Sequence, residues 1–320
     1  MKAAVLHKLG QSPRYEDFTD PEAGPQETLV QVRAASLKSV DKQLAAGTHY
    51  ASPRELPAIC GTDGVGTLGD GSRIFFGGAR RPYGAMVERT VVPAAFCFPI
   101  PDALDDATAA AIPNPGVSAF LCLTHRAKLA PGERVLILGA TGVTGKLATQ
   151  IAKQLGAAQV IVAGRNPQQL EKLQKLGADS TIQLNQPAET LRKAFAEAAG
   201  EQGFNVIIDY VWGHPTEVLL SAITRSEFAP VNPETRLVQV GEGAGPTIAL
   251  PAAVLRSTAL TILGTAGMPA REILVAAMHQ VLAWAASGAL QIETESIPLV
   301  DVETVWQQPE TPGRRRVLIP

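Results

Sequence analysis

Between the apolar runs around Leu138 and Leu147 the chain reads Gly139–Ala140–Thr141–Gly142–Val143–Thr144–Gly145–Lys146. Its spacing, Ala140-x-Gly142-x-x-Gly145, suits the approach of backbone amides to a pyrophosphate. The small first residue permits a tight turn, Gly142 lets backbone N–H groups come close, and Gly145 lets helix and strand pack together. A helix that starts there offers unpaired donors and a partial positive charge to the phosphates. A mononucleotide phosphate loop is disfavoured: it needs Ser or Thr after Lys146, where Leu147 stands, and one residue fewer between Gly139 and Gly145. The next chemically informative stretch is Val160–Ile161–Val162–Ala163, which ends in Gly164–Arg165–Asn166 without a carboxylate. Sites that prefer NAD place an acid about 20 residues past the glycine turn, on the ribose 2′-hydroxyl; a cation there favours the 2′-phosphate. Arg165 can fork onto that phosphate and Asn166 can add a donor, so NADPH is the expected cofactor.

These residues need a scaffold. Val135–Leu138 reads as a strand, and Lys146–Leu155 as a helix with Leu147, Ile151 and Leu155 recurring every four residues. From about residue 118, strand candidates Val135–Leu138, Gln159–Val162, Thr181–Leu184, Val206–Asp209 and Leu237–Val240 alternate with helical stretches, and Ala259–Leu263 adds an apolar edge strand in this reading. Such alternation predicts a parallel sheet covered on both faces. Residues 1 to about 117 differ: short strand-like pieces at Leu29–Ala34, Val65–Leu68, Arg73–Phe76 and Met86–Val92 are separated by Pro and Gly, as in a compact, mostly β domain. After Met268–Pro269 come a helix to about Ser287 and a β-like tail ending in Val317–Ile319. The tail is too small to be a domain, so it is expected to fold back. The expected domains are 118–267 for the dinucleotide and 1–117 with 268–320 for the substrate, with a cleft between them.

With 320 residues, 46% of them hydrophobic and 18% charged, the chain is long enough for two well-buried cores. A formal charge of -2 gives no electrostatic footprint for nucleic acid or an anionic membrane. The one basic run, Arg314–Arg315–Arg316, reads as a solvated turn. Three separated cysteines, Cys60, Cys97 and Cys122, none in a CxxC, suit reduced thiols and a cytoplasmic location. The start of the chain does not read as a signal peptide, and polar residues interrupt the uncharged run Ile273–Ile292, so no membrane span is expected. Small-molecule partners are expected.

The opening Met1–Lys2–Ala3–Ala4–Val5, Val40–Asp41 followed by Gly47, Gly61–Thr62–Asp63-x-x-Gly66, Pro131–Gly132–Glu133-x-Val135 and Lys172-x-x-x-Leu176–Gly177–Ala178–Asp179 together resemble the medium-chain dehydrogenase/reductase superfamily. The likeness spans nearly the whole chain. It implies an α/β protein, with a Rossmann-type doubly wound parallel sheet plus a GroES-like, mostly β domain. Within the superfamily the chain resembles the zinc-free quinone oxidoreductase branch, which reduces quinones or activated enones with NADPH. Zinc-dependent members hold their catalytic metal with a Cys, a His-Glu pair and a second Cys; matching the motifs puts Lys38, Thr62–Asp63 and Pro115 at those positions, so no metal is expected. Without a Lewis acid, hydride transfer to an already electrophilic carbon is the easier direction.

The resemblance also implies individual contacts. Thr141, Gly142, Val143 and Thr144 should face the pyrophosphate; Gly164, Arg165 and Asn166 the adenosine ribose; Val211, Gly241 and Glu242 lie at strand ends. Ser118 stands where relatives have a Thr near the nicotinamide, although it could equally cap a helix. Lys38 and Tyr50 are the catalytic candidates, the first to stabilise an oxyanion and the second to donate a proton. The blander alternative has Lys38 extending to solvent and Tyr50 only covering the cleft. Relatives pair through the strand at Ala259–Leu263, so a homodimer is expected. Two other readings stay open: a non-catalytic NADPH-binding redox sensor or crystallin-like protein, and an atypical short-chain-type reductase. Against the latter, no Tyr has a Lys four residues later.

Overall fold

The computed structural model describes residues 1–224, 234–265, 267 and 269–320. They form two compact units, Met1–Asn114 with Met278–Pro320, and Pro115–Ala277. Met268, which opens the tail in the sequence reading, lies outside the described residues.

The second unit is built on six strands: Arg134–Leu138, Gln159–Gly164, Ser180–Gln183, Val206–Asp209, Thr235–Gln239 and Leu260–Gly264. Every neighbouring pair is parallel. Numbered along the chain, their spatial order is third, second, first, fourth, fifth, sixth, so the order reverses beside the first strand. In open α/β sheets that reversal point, at the carboxyl ends of the strands, is where ligands bind. Central strands are buried on both faces, which explains their unbroken apolar runs; Leu136, Ile161, Ile207 and Leu237 pack with Phe195 and Phe204 in one core. The helix after the first strand, Val143–Gln154, starts three residues before the expected Lys146. Its amphipathic repeat becomes visible only where the helix meets the sheet, whereas its first turn is built from the glycine loop itself.

In the first unit, Lys2–Leu6 lies between Arg14–Asp17 and Ala58–Ile59 in a small antiparallel sheet. A larger sheet is centred on the long strand Glu27–Leu37, which pairs antiparallel with Asp63–Thr67, Arg89–Pro93 and Arg314–Ile319. The tail strand Glu293–Pro298 adds in parallel to Arg314–Ile319. The arginine run is therefore strand, correcting the solvated turn. Arg315 is turned inward, where it donates to the Leu37 carbonyl at 3.0 Å, while Arg316 faces Glu295. A short helix, Ser39–Ala46, follows the central strand; with only Asp41 and Ala45 buried, it carries too little apolar periodicity to be foreseen.

Candidate active site

The glycine turn is shaped by contact as much as by dihedral preference. Gly139 has φ +80°, and a Cβ there would lie 2.9 Å from Val211 Cγ1 and 3.1 Å from Tyr210 Cβ. A Cβ at Gly145 would lie 2.5 Å from Ala140 Cα, so only glycine lets the helix seat against the turn. Gly142, the N-cap, is exposed and makes no side-chain cap to the first helical turn. The amide donors that a dinucleotide phosphate requires are thus not claimed by a capping side chain. Thr141, Val143 and Thr144 are half-buried around it. Gly164, at the end of the second strand, faces Thr141, and a Cβ there would reach within 2.4 Å of Thr141 Cγ2. The two strand ends interlock. Arg165 is exposed beside them. Asn166 caps the helix Pro167–Lys175, its Oδ1 accepting from the Gln169 N–H at 3.1 Å, which leaves the carboxamide nitrogen outside the cap.

Beyond the fourth strand the backbone turns sharply. Buried Asp209 holds that turn: Oδ1 accepts from the Val211 and Trp212 N–H groups, both at 2.8 Å, and Oδ2 accepts from Thr216 Oγ1 at 2.5 Å. Burial pushes the Asp209 carboxyl upward even against these three bonds. Trp212 sits at φ 53°, ψ -159°, a region that is nearly glycine-only. The loop after the fifth strand is tied to the same turn. Gly241 N–H donates to the Asp209 carbonyl at 3.2 Å, Gly243 to Tyr210 at 3.3 Å and Ala244 to Val211 at 2.7 Å. Val211 and Gly241 are half-buried in this seam, while Glu242 is exposed.

Ser118 lies on the helix Pro113–Leu121, half-buried, one turn before Cys122. The helix then widens into a π turn, Cys122–Arg126, where the Ala127 N–H donates to the Cys122 carbonyl at 2.8 Å. Burial pushes the Cys122 thiol up to about 11, opposed by Arg126 and by a hydrogen bond with Ser118. This thiol is not a thiolate at neutral pH.

In the first unit, Lys38 is 3% exposed and does not extend to solvent. Nζ donates to Asp63 Oδ1 at 2.8 Å, and to the Ser36 carbonyl and Ser36 Oγ at 3.2 Å each, so all three ammonium protons are used. Asp41 Oδ2 lies 3.4 Å from the same nitrogen. The Asp41 carboxylate also accepts from the Lys38 and Thr62 backbone N–H groups, at 2.9 and 3.1 Å. Burial raises the Asp41 pKa, opposed chiefly by Lys38. Asp63 Oδ2 accepts from Thr62 Oγ1 and from Asn114 Nδ2, at 3.2 Å each. Three of the four positions matched to zinc ligands, Lys38, Thr62 and Asp63, thus belong to one internally satisfied ion network, and the fourth, Pro115, has no donor. No group of three or more metal-ligating side chains occurs among the described residues. Tyr50 is in a different setting: it is 95% exposed and its ring lies 4.1 Å from that of His49.

Residues 143–287 match the family model described as zinc-binding dehydrogenase. Quinone oxidoreductase-like protein 2 of Bos taurus is 27% identical over 274 residues, covering 82% of this chain and 74% of the relative. A probable NADPH-dependent quinone reductase, tdiC, of Emericella nidulans is 30% identical over 230 residues, 68% of this chain and 63% of its own length. The crystal structure of a quinone oxidoreductase from Pseudomonas syringae superposes with a TM-score of 0.82 at 25% identity, covering 100% of this chain and 99% of that one. The chain belongs to the medium-chain dehydrogenase/reductase superfamily, in its quinone oxidoreductase-like branch. Several residues prominent in this member of the superfamily were given no site role by the sequence reading: Asp209 and Tyr210 at the fourth strand end, Asp41, which served only as a family motif, and Asn114. Position alone could have marked the first pair, because residues that follow a parallel strand's carboxyl end border the ligand crevice.

Proposed function

We propose that the chain is a zinc-independent reductase that binds NADPH and passes hydride to a quinone or an α,β-unsaturated carbonyl. The observation that carries this reading is the cationic end of the second strand, where Arg165 stands exposed beside an uncapped helix start and no acid occupies the ribose position. A guanidinium there matches a 2′-phosphate, and the unclaimed amides of the Val143–Gln154 helix match a pyrophosphate. Thr141, Gly142, Val143 and Thr144 hold the pyrophosphate in this reading, Gly164, Arg165 and Asn166 the adenosine ribose phosphate, and Ser118, Val211, Gly241 and Glu242 the nicotinamide half. Bound NADPH supplies the hydride.

The chain's own residues position and stabilise. Lys38, with its protons committed, acts as a fixed buried cation that orders Asp63 and, through it, Asn114. Tyr50, whose hydroxyl is at the surface, is the proton donor in this proposal. Residues 1–117 with 268–320 are taken as the substrate part and 118–267 as the nucleotide part. A cytoplasmic homodimer is included in the proposal: Leu260–Gly264 is a half-exposed edge strand preceded by Leu255, which is 50% exposed. A monomer in sedimentation at micromolar concentration would remove it.

The test is paired titration. Arg165→Ala should weaken NADPH by roughly ten- to a hundredfold, the worth of a charge-assisted bond of about 1.5–3 kcal/mol, and spare NADH. Equal losses for the two cofactors would end the role of Arg165. The metal-free, chelator-treated protein should oxidise NADPH with a quinone or enone at the untreated rate, and Tyr50→Phe should lower kcat without changing NADPH affinity.

A further inference from the structure

Gly164 ends the second strand of the parallel sheet, and its φ lies outside the left-handed region. Any residue can adopt such a strand backbone, so contact alone requires glycine here. The contact is with one side chain. A Cβ at 164 would lie 2.4 Å from Thr141 Cγ2, 3.0 Å from Thr141 Oγ1 and 3.2 Å from Thr141 Cβ, its three nearest neighbours.

Neither partner can retreat. On the Thr141 side, the Gly139 and Ala140 N–H groups donate to the Ala163 carbonyl at 2.9 and 3.0 Å, and the Gly142 N–H donates to the Gly139 carbonyl at 3.2 Å. On the other side, the Gly164 carbonyl accepts from the Leu184 N–H at 2.8 Å, and Gly164 is held in register with Gln183. Rotating the Thr141 side chain gives no relief. Both γ atoms face Gly164, so two of the three staggered positions on Thr141 Cβ point that way. A β-branched residue fills two positions in every rotamer and always leaves at least one of these occupied.

This strand end is where charge decides cofactor class. Dinucleotide sites that prefer NAD carry an acid about 20 residues past the glycine turn, whose carboxylate binds the ribose 2′-hydroxyl and would repel a 2′-phosphate. Gly164 is the last residue of the strand, directly before exposed Arg165. Thr141 thus stands over the Cα from which such an acid would have to grow.

We propose that Thr141 is a specificity-determining residue: acting through Gly164, it closes the second strand's end to the carboxylate that would select NADH and commits the site to NADPH. The proposal rests on the NADPH reading and deepens it, because Arg165 attracts the 2′-phosphate while Thr141 excludes the competing charge. Exclusion gives the proposal its sign. An acid introduced at 164 must displace the glycine turn while Thr141 is present, and it reaches the ribose once the γ atoms are gone. The Cβ left by Thr141→Ala, at 3.2 Å, has to give by only a few tenths of an ångström.

The experiment is a double-mutant cycle on the full chain, with NADH and NADPH titrated separately against wild type, Gly164→Asp, Thr141→Ala and the double variant. In the wild-type background Gly164→Asp should weaken NADH by about fivefold or more, the effect of an overpacked contact on the turn. In the Thr141→Ala background the same substitution should tighten NADH about three- to tenfold, the worth of one hydrogen bond, and weaken NADPH. An effect on NADH that has the same sign in both backgrounds, or is absent from either, would overturn the proposal. The ligand-free melting temperature should fall in Gly164→Asp and recover in the double variant; a fall that Thr141→Ala does not reverse would overturn it too. If Gly164→Asp does not fold, the double variant still decides, since no recovery of folding, or no gain in NADH affinity over Thr141→Ala, ends the proposal. A wild type that binds neither cofactor, or binds NADH as tightly as NADPH, would instead remove the NADPH reading, and this inference with it.

Discussion

Replacing Trp212 by alanine and, separately, by glycine separates the two consequences of its strained backbone. Both variants lose the half-buried indole, which packs at the edge of the second unit's core. Only glycine also releases φ 53°, ψ -159°. At an ordinary position glycine is less stable than alanine by about 0.4–1 kcal/mol, because the unfolded chain has more freedom to lose. A side chain held in this region costs about 1–3 kcal/mol. Taken at the middle of the two ranges, the difference predicts that Trp212→Gly is more stable than Trp212→Ala by about 1–2 kcal/mol, reversing the usual order. For a unit of this size each kcal/mol corresponds to roughly 2–4 °C, so the glycine variant should melt about 2–8 °C higher in calorimetry of the ligand-free protein. An alanine variant that melts higher than the glycine variant would refute the reasoning, since it would mean that Asp209 and the neighbouring loop do not force this conformation.

Two other perturbations follow from the first unit. Lys38→Met removes the cation from two buried carboxylates and should cost about 3–5 kcal/mol, measured by urea denaturation, with part recovered when Asp63→Asn is added. Asp105 caps the helix Asp106–Ala111; burial opposes its ionisation, but hydrogen bonds from the Thr108 N–H and hydroxyl win and hold its carboxyl below the usual value. A depressed folded pKa contributes stability above the unfolded pKa and loses it as pH falls through the folded one. Asp105→Ala should therefore cost about 1 kcal/mol at pH 7, and that gap should close as the pH is lowered below about 4.

The parallel sheet was legible because its strands are buried on both faces, so that Val135–Leu138 and Val206–Asp209 appear as apolar runs with no surface residue to blur them. The glycine turn was legible for a related reason: Gly139 and Gly145 sit where close approach admits nothing larger. The ion network was not. Lys38 precedes a helix whose first turn holds Asp41, while Asp63 opens a strand 25 residues beyond Lys38, and a buried lysine reads in sequence like any surface lysine. The tail arginines misled for the same reason, since long charged side chains occur equally in turns and on strands whose guanidinium groups reach carbonyls and acids.

The long strand Glu27–Leu37 has a consequence for the order in which the chain can be completed. It pairs with Asp63–Thr67 and Arg89–Pro93, which leave the ribosome soon after it, but also with Arg314–Ile319, which leaves more than 200 residues later than both. Between them the whole of the Pro115–Ala277 unit is made, and that unit draws its sheet from its own residues alone. The inserted unit can therefore close during synthesis, while the first unit waits with the Ala35–Leu37 end of its central strand unpaired and Arg315 not yet delivered to Leu37. Until Arg314–Ile319 emerges, that open strand edge is exposed to other chains, which makes the nascent first unit the part most dependent on chaperones.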